Sequence, residues 1–451
     1  MLFKKIKSEG IAHNSYMIGD QGEAAVIDPK RDVDTYIKIA EKNQLKIKHI
    51  FETHRNEDYL IGSLELKDKT NAEIYHGSKT DFSYGNSIKQ EDEFHVGHLK
   101  IKILETPGHT EESISLTLEE VDKNKVLIVF TGDLLFSGDT GRIDFFKGEK
   151  KQEMAEKMYN GIFNKILPLG KDVILCPAHG EGSVCGGEIS NLEYTTLGYE
   201  IKTNPLLKQK KDEFINKKVN EHHYMPPYFE KMHKNNTEGP PILHGQLSLS
   251  PISINEIKKQ KKLQILDIRH PVSYANSHIP NSLNIWRNGI PMFAGWFLNY
   301  NEPIVIVDDF NLEIQKVSRL LFRLGYDNIL GYLKKGFSNW MGSDEKTNKI
   351  NRVSPKELKT DLKNEDLFIL DVRDKKTREK QGFIPQSKNI YLGEIPENLE
   401  SIPEEKKIVV YCDSGFKTSI ATSYLQKQKY KDLSNLTGGF KLWKLKDIPV
   451  S

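Results

Sequence analysis

Four apolar runs of the chain each end in a residue able to bind a metal or carry a proton. They are Ile50-Phe-Glu-Thr-His54, Ile103-Leu-Glu-Thr-Pro-Gly-His109, Val126-Leu-Ile-Val-Phe-Thr-Gly-Asp133 and Val173-Ile-Leu-Cys-Pro-Ala-His179. Such runs read as buried strands, and the loops at strand ends can converge on one pocket. A lone histidine is more often a satisfied core or surface residue. Four donor groups at the ends of four strands point instead to a metal site. A second reactive group is Cys412, in Cys412-Asp-Ser-Gly-Phe-Lys-Thr418. It lies between the strand-like run Lys407-Ile-Val-Val-Tyr411 and the helix-like stretch Thr418–Gln428. A thiol at such a junction meets free N–H groups and the positive end of the helix, which favours the thiolate. Gly415 lets the loop turn inward, so the backbone of Asp413, Ser414, Gly415, Phe416 and Lys417 could cradle an anion.

The elements that must position these groups differ between the two halves of the chain. Asp267-Ile-Arg269 and His278-Ile-Pro280 recur as Asp371-Val-Arg373 and Phe383-Ile-Pro385, and Gly336-Phe-Ser-Asn-Trp340 recurs as Gly439-Phe-Lys-Leu-Trp443. A period of roughly a hundred residues is a tandem domain duplication and not a solenoid. Each copy alternates short β-branched runs with helical stretches, which predicts a small α/β domain on a buried parallel sheet. The copies differ at the reactive loop, where the first has Asp308 in place of the cysteine. Residues 1–205 form another kind of unit, with a hairpin signal at Gly19-Asp-Gln-Gly22. The expected organisation is 1–205, a linker or extension over 206–244, and copies over 245–345 and 352–451.

Composition narrows the function classes. The 451 residues include 65 Lys+Arg and 63 Asp+Glu, a net charge of +2. This balance gives no nucleic-acid footprint and no polybasic membrane anchor. No run approaches the roughly 20 apolar residues of a membrane span. The start, Met1-Leu-Phe-Lys-Lys-Ile-Lys-Ser8, lacks the apolar core of a signal peptide, so a cytoplasmic protein is expected. Three cysteines, Cys176, Cys185 and Cys412, do not make a disulfide framework.

The repeated motifs and the Cys412 loop resemble the rhodanese sulfurtransferases. The resemblance implies that Cys412 carries sulfane sulfur as a persulfide and that the copy with Asp308 is catalytically dead. Lys417 stands where many members carry Arg, which keeps the charge but loses bidentate contact. It also implies that Asp371 and Arg373 brace the domain.

The first unit resembles the metallo-β-lactamase superfamily, whose first motif is usually Thr-His-x-His-x-Asp-His. Here it reads Thr53-His54-Arg55-Asn56-Glu57-Asp58-Tyr59, so two imidazoles are missing. Pro107-Gly-His109, Gly132-Asp133 and Ala178-His179-Gly180 are intact. The surviving first-site set is His54, His109 and Asp133. Two histidines and a carboxylate with open positions are the ligand set of non-haem Fe(II) oxygenases. The whole arrangement resembles persulfide dioxygenase–sulfurtransferase fusions. That implies an αββα sandwich followed by two rhodanese-like α/β domains, and one Fe(II) per chain. It further implies oxidation of a low-molecular-weight thiol persulfide by O₂ to sulfite, with thiosulfate formed by sulfur transfer. Asp58 and His179 are expected to orient ligands, Arg142 to contact substrate, and Tyr199 and Cys185 to act near the metal. Cys176 is expected in the core. Two rival readings are a dinuclear zinc thioester hydrolase of the glyoxalase II kind and a non-catalytic sulfane-sulfur carrier with a decayed metal domain. The identity of the thiol and the oligomeric state stay open, a homo-oligomer included.

Overall fold

The chain was analysed as a computed structural model, which describes residues 1–121, 125–244, 248–446 and 448–450. The expected boundaries at 245 and 451 lie outside the described residues. Two compact units result, Met1–His244 with Arg323–Gly325, and Gly245–Phe322 with Tyr326–Ser451. No helix among the described residues is long and apolar enough to cross a membrane.

The first unit contains two six-stranded sheets. One runs in sequence order through β1 (Leu2–Ser8), β2 (His13–Asp20), β3 (Glu23–Ile27), β4 (Lys46–Glu52), β5 (Glu73–Gly77) and β6 (Asn86–Ile88). The other is ordered β12-β11-β10-β9-β8-β7, from β7 (Glu93–Val96), β8 (Leu99–Glu105), β9 (Ile114–Glu120), β10 (Lys125–Gly132), β11 (Ile174–Pro177) and β12 (Thr195–Thr196). Period-two alternation explains the layering. Ala25 and Ile27 of β3 pack inward with Ile128 and Phe130 of β10, while Ala24 and Val26 pack outward. The outward face of the first sheet buries Tyr36, Ala40 and Leu66 from the helices Asp34–Lys42 and Ser63–Thr70. Val129 and Leu175 of the second sheet pack with Ala155 and Met158 of the helix Gly148–Asn160. The expected αββα sandwich is therefore present. Residues 206–244 carry helices Lys211–Asn220 and Phe229–Glu238, with Phe214, Phe229 and Met232 buried.

The second unit holds two five-stranded, all-parallel sheets, one per copy, as the β-branched runs predict. The first is ordered β13-β17-β16-β14-β15, from β13 (Pro251–Ile252), β14 (Gln264–Asp267), β15 (Leu283–Asn284), β16 (Ile304–Val307) and β17 (Ile329–Leu333). The second repeats that order as β18-β22-β21-β19-β20, from β18 (Asn351–Val353), β19 (Leu367–Asp371), β20 (Lys388–Asn389), β21 (Lys407–Tyr411) and β22 (Leu433–Leu436). The duplication extends to side chains. Arg269 pairs with Asp267 at 2.6 Å and lies 3.5 Å over the Phe337 ring; Arg373 pairs with Asp371 at 2.7 Å and lies 4.1 Å over Phe440. The helix Phe416–Lys427 seats on the first copy through polar contacts. Ser419 Oγ donates to Asn284 Oδ1 at 2.5 Å, the Asn284 N–H donates to Ser423 Oγ at 3.0 Å, and His278 Nε2 lies 2.7 Å from Gln426 Oε1.

Candidate functional site

The ends of β4, β8, β10 and β11 deliver their donor groups to one buried cluster. β10 stops at Gly132, whose φ of +52° is a left-handed conformation. A Cβ there would lie 2.6 Å from Thr53 Oγ1, so only glycine lets the turn into Asp133 pass so close to the strand end that carries His54. The Ala178 N–H donates to the Gly132 carbonyl at 3.0 Å, which ties the β11 end and His179 to the same place.

Hydrogen bonds orient both first-site imidazoles. Thr53 Oγ1 donates to Asp28 Oδ2 at 2.8 Å, so it accepts from His54 Nδ1 at 2.9 Å. His109 Nδ1 donates to the Arg142 carbonyl at 2.8 Å. In each ring this turns Nε2 toward the cluster, the nitrogen a metal would take in place of a proton. His54 Nε2 and His109 Nε2 lie 3.7 and 3.6 Å from Asp133 Oδ2. His54 Nε2 and Asp133 Oδ2 are buried with no hydrogen-bond partner, which a bound cation would remedy. The residues therefore fit the metal that the ligand set implies. Burial opposes charge on Asp133, but His179, His54 and His109 outweigh it and hold its carboxyl well below the usual range. Burial likewise opposes protonation of His109, yet Glu57 and Asp133 raise it to about 9.

A second group lies alongside. His179 Nδ1 is 2.7 Å from Asp133 Oδ1 and its Nε2 is 3.2 Å from Asp58 Oδ2. Ligand atoms of Asp58, His179 and Cys185 lie within 4.8 Å of one another, as do those of His109, Asp133 and Cys185. Cys185 is 1% exposed, and burial pushes its thiol well up. Tyr59, at the position of a missing imidazole, turns to His13, its hydroxyl 2.7 Å from Nε2. Asn56 turns its amide N–H to the His54 carbonyl at 3.3 Å.

Other expected site residues stand elsewhere. Arg142 is not free for substrate: it is 1% exposed, paired to Asp144 at 2.6 and 2.8 Å, and donates to the Val184 carbonyl at 3.1 Å. Tyr199 is 48% exposed on the helix Leu197–Thr203, which Thr196 caps, so it is not brought into the buried cluster. Cys176 lies in the inter-sheet core as expected. Three residues escaped the sequence reading. Asp28 accepts from both the Thr53 N–H and its hydroxyl at 2.8 Å. Glu57 Oε2 is 3.0 Å from His109 Nε2, and Glu57 Oε1 is 3.2 Å from His233 Nε2. Glu57 was visible as a carboxylate inside the first motif; His233 carried no local signal.

In the second unit, Cys412 is 1% exposed, and its Sγ accepts from the Gly415 N–H at 3.1 Å and from Thr418 Oγ1 at 3.2 Å. Gly415 has φ +94°, the inward turn expected of it. Asp413 lies 3.8 Å from Arg373, Ser414 is exposed, and Lys417 is half-buried. The Phe416 ring packs on Trp286 and His270 of the first copy, with centroids 5.1 and 5.2 Å away. At the matching loop of the first copy, Phe310 is 79% exposed, and no sulfur nucleophile is present.

The metallo-β-lactamase superfamily matches residues 9–179, and the rhodanese-like domain matches 250–343 and 354–446. The chain belongs to the metallo-β-lactamase superfamily, with that domain fused to tandem rhodanese-like domains. A crystal structure of a metallo-β-lactamase from Staphylococcus aureus is 31% identical and covers 74% of this chain and 98% of its own, with a TM-score of 0.66. Hydroxyacylglutathione hydrolase GloC of Haemophilus influenzae is 29% identical over 213 residues, 42% of this chain and 90% of that protein. A hydroxyacylglutathione hydrolase of Pelagibacter ubique is 34% identical over 160 residues, 34% of this chain and 62% of that protein.

Proposed function

We propose that the chain is an iron-dependent persulfide dioxygenase coupled to a sulfurtransferase. The observation that supports this most is the commitment of Tyr59 to His13, which withholds a donor from the second group, while His54, His109 and Asp133 stand together with His54 Nε2 and Asp133 Oδ2 unpartnered. A single Fe(II) held by these three would supply activation of O₂ beside a thiol persulfide. The overall change balances as persulfide anion, O₂ and water giving thiol, sulfite and a proton. The chain's own groups orient the ligands, through Thr53 and the Arg142 carbonyl, and keep bulk water out by burial. Cys412 attacks the outer sulfur of a persulfide, breaking its S–S bond and releasing the parent thiol; sulfite then takes that sulfur from the Cys412 persulfide, which yields thiosulfate and restores the cysteine. Fusion raises the local concentration of the shared intermediate.

A second reading rests on specific observations. The curated relatives above are named hydroxyacylglutathione hydrolases, which weighs toward thioester hydrolysis. Asp58, His179 and Cys185 offer a second ligand group, and Asp133 faces both groups with its two oxygens. Those relatives leave more than half of this chain unmatched, including any use for Cys412. Metal content together with two assays separates the readings. One iron per chain with O₂ uptake on glutathione persulfide supports the first. Two zinc ions with hydrolysis of S-lactoylglutathione and no O₂ uptake replaces it with the second.

A further inference from the structure

We propose that Glu57 is a fourth protein ligand of the metal centre, filling the role vacated by the imidazole absent at position 56. The proposal rests on the reading of His54, His109 and Asp133 as ligands. Asn56 brings no imidazole to position 56: its amide N–H turns to the His54 carbonyl, and its Oδ1 is left without a hydrogen-bond partner. The neighbouring Glu57 is fully buried, and its Oε2 is 3.0 Å from His109 Nε2. That separation is within reach of two donors that share one ion, each bound at about 2.1 Å. The ligand atoms of His54, Glu57 and His109 all lie within 4.8 Å of one another.

Charge supports the same assignment. Two neutral imidazoles and Asp133 alone would leave a divalent ion with net positive charge in a site whose side chains are at most 1% exposed. A second carboxylate makes the assembly neutral, and burial of a neutral assembly costs far less than burial of an uncompensated charge. Glu57 Oε1 faces His233 Nε2 at 3.2 Å, and His233 is 28% exposed at its side chain. His233 thus stands beside the outer oxygen while the inner one faces the metal ligands, on the side where a group orienting a ligating carboxylate would lie. The added oxygen donor also hardens the set toward Fe(II), Mn(II) or Co(II) over softer ions.

The test uses Co(II) as the probe on the full-length metal-free chain, with affinity from chelator competition and geometry from the visible d–d bands. Glu57→Gln should weaken Co(II) binding by about tenfold or more and change band positions and intensities. Glu57→Asp keeps the charge in a conservative form and should also weaken binding and alter the bands; it serves if Glu57→Gln does not fold. Affinity and spectrum equal to those of the parent in the folded variant overturn the proposal, as does a lowered Tm with an unchanged spectrum, which marks a purely structural carboxylate. His109→Ala is run in parallel. If it abolishes Co(II) binding while Glu57→Gln leaves it intact, only the Glu57 assignment falls. If His109→Ala also binds Co(II) normally, the three-residue site itself is wrong.

Discussion

The Tyr59 hydroxyl and His13 Nε2 lie 2.7 Å apart, and His13 Nδ1 lies 2.9 Å from Ser8 Oγ. The side chain at the last position of the first motif is thus committed to the end of β2 and not to a metal. Its ring packs on that of His13, with centroids 4.1 Å apart. A phenol is larger than an imidazole and carries a single hydrogen-bonding tip, and here that tip is turned to His13.

The orientation of His54 through Thr53 predicts a measurable effect on metal binding. Thr53→Val keeps the shape but removes the hydroxyl that links Asp28 to His54. Metal affinity should fall by about 10- to 100-fold, as for other partners that orient a ligand. Chelator competition on the folded variant checks this, and affinity within about threefold of the parent would show that the link does not matter.

Asp28 predicts a pH dependence of the metal-free chain. Burial raises its carboxyl from 3.8 to about 6, against the opposing pull of His54 and Thr53. The folded chain therefore keeps a proton that the unfolded chain releases. This contribution is fully present below pH about 4 and is lost as pH rises through about 6. Asp28→Asn should remove it, so the difference in Tm between variant and parent should change across that window. A constant difference from pH 4 to 7 would contradict the assignment.

Cys412→Ser should separate the two chemistries. The serine hydroxyl keeps size but does not carry sulfane sulfur, and the metal ligands lie in the other unit. Persulfide-dependent O₂ uptake should stay within about twofold while the product shifts from thiosulfate to sulfite. Quantifying both anions decides it; unchanged thiosulfate would remove Cys412 from the transfer.

The first rhodanese-like copy should be silent in transfer. Asp308 offers no sulfur nucleophile, so Asp308→Asn should leave the sulfurtransferase rate unchanged within error. A large loss would show that this copy binds substrate.

The two halves were unequally legible in the sequence. His54, His109, Asp133 and His179 were readable because each closes a continuous apolar run, and strand ends in a sandwich share one edge. The parallel sheets and the Cys412 loop were readable because the duplication displays them twice. Arg142 and Tyr199 misled for different reasons. An arginine two residues before an aspartate is equally compatible with an ion pair and with a free guanidinium, and only packing against Phe145 and the Val184 carbonyl selects the pair. The solvent-facing side of a seven-residue helix is set by what it docks on, not by its own sequence. Asp28 and His233 were invisible because they reach the site from elements 25 or more residues away, where spacing carries no information.

The contacts of Ser419, Ser423 and Gln426 with Asn284 and His278 have a consequence for engineering. Seven of the twelve residues of the helix Phe416–Lys427 are buried, and it meets the first copy both through hydroxyls and through the Tyr424 ring, whose centroid lies 5.2 Å from that of Phe297. Cut out as a free-standing module, the second copy would expose these polar groups together with the Phe416 and Tyr424 rings, and would lose the wall of Trp286 and His270 behind Phe416. The excised half would therefore show newly bared rings and carry a slackened loop. The first copy, with Asp308 where its twin has Cys412, is a mould for that twin.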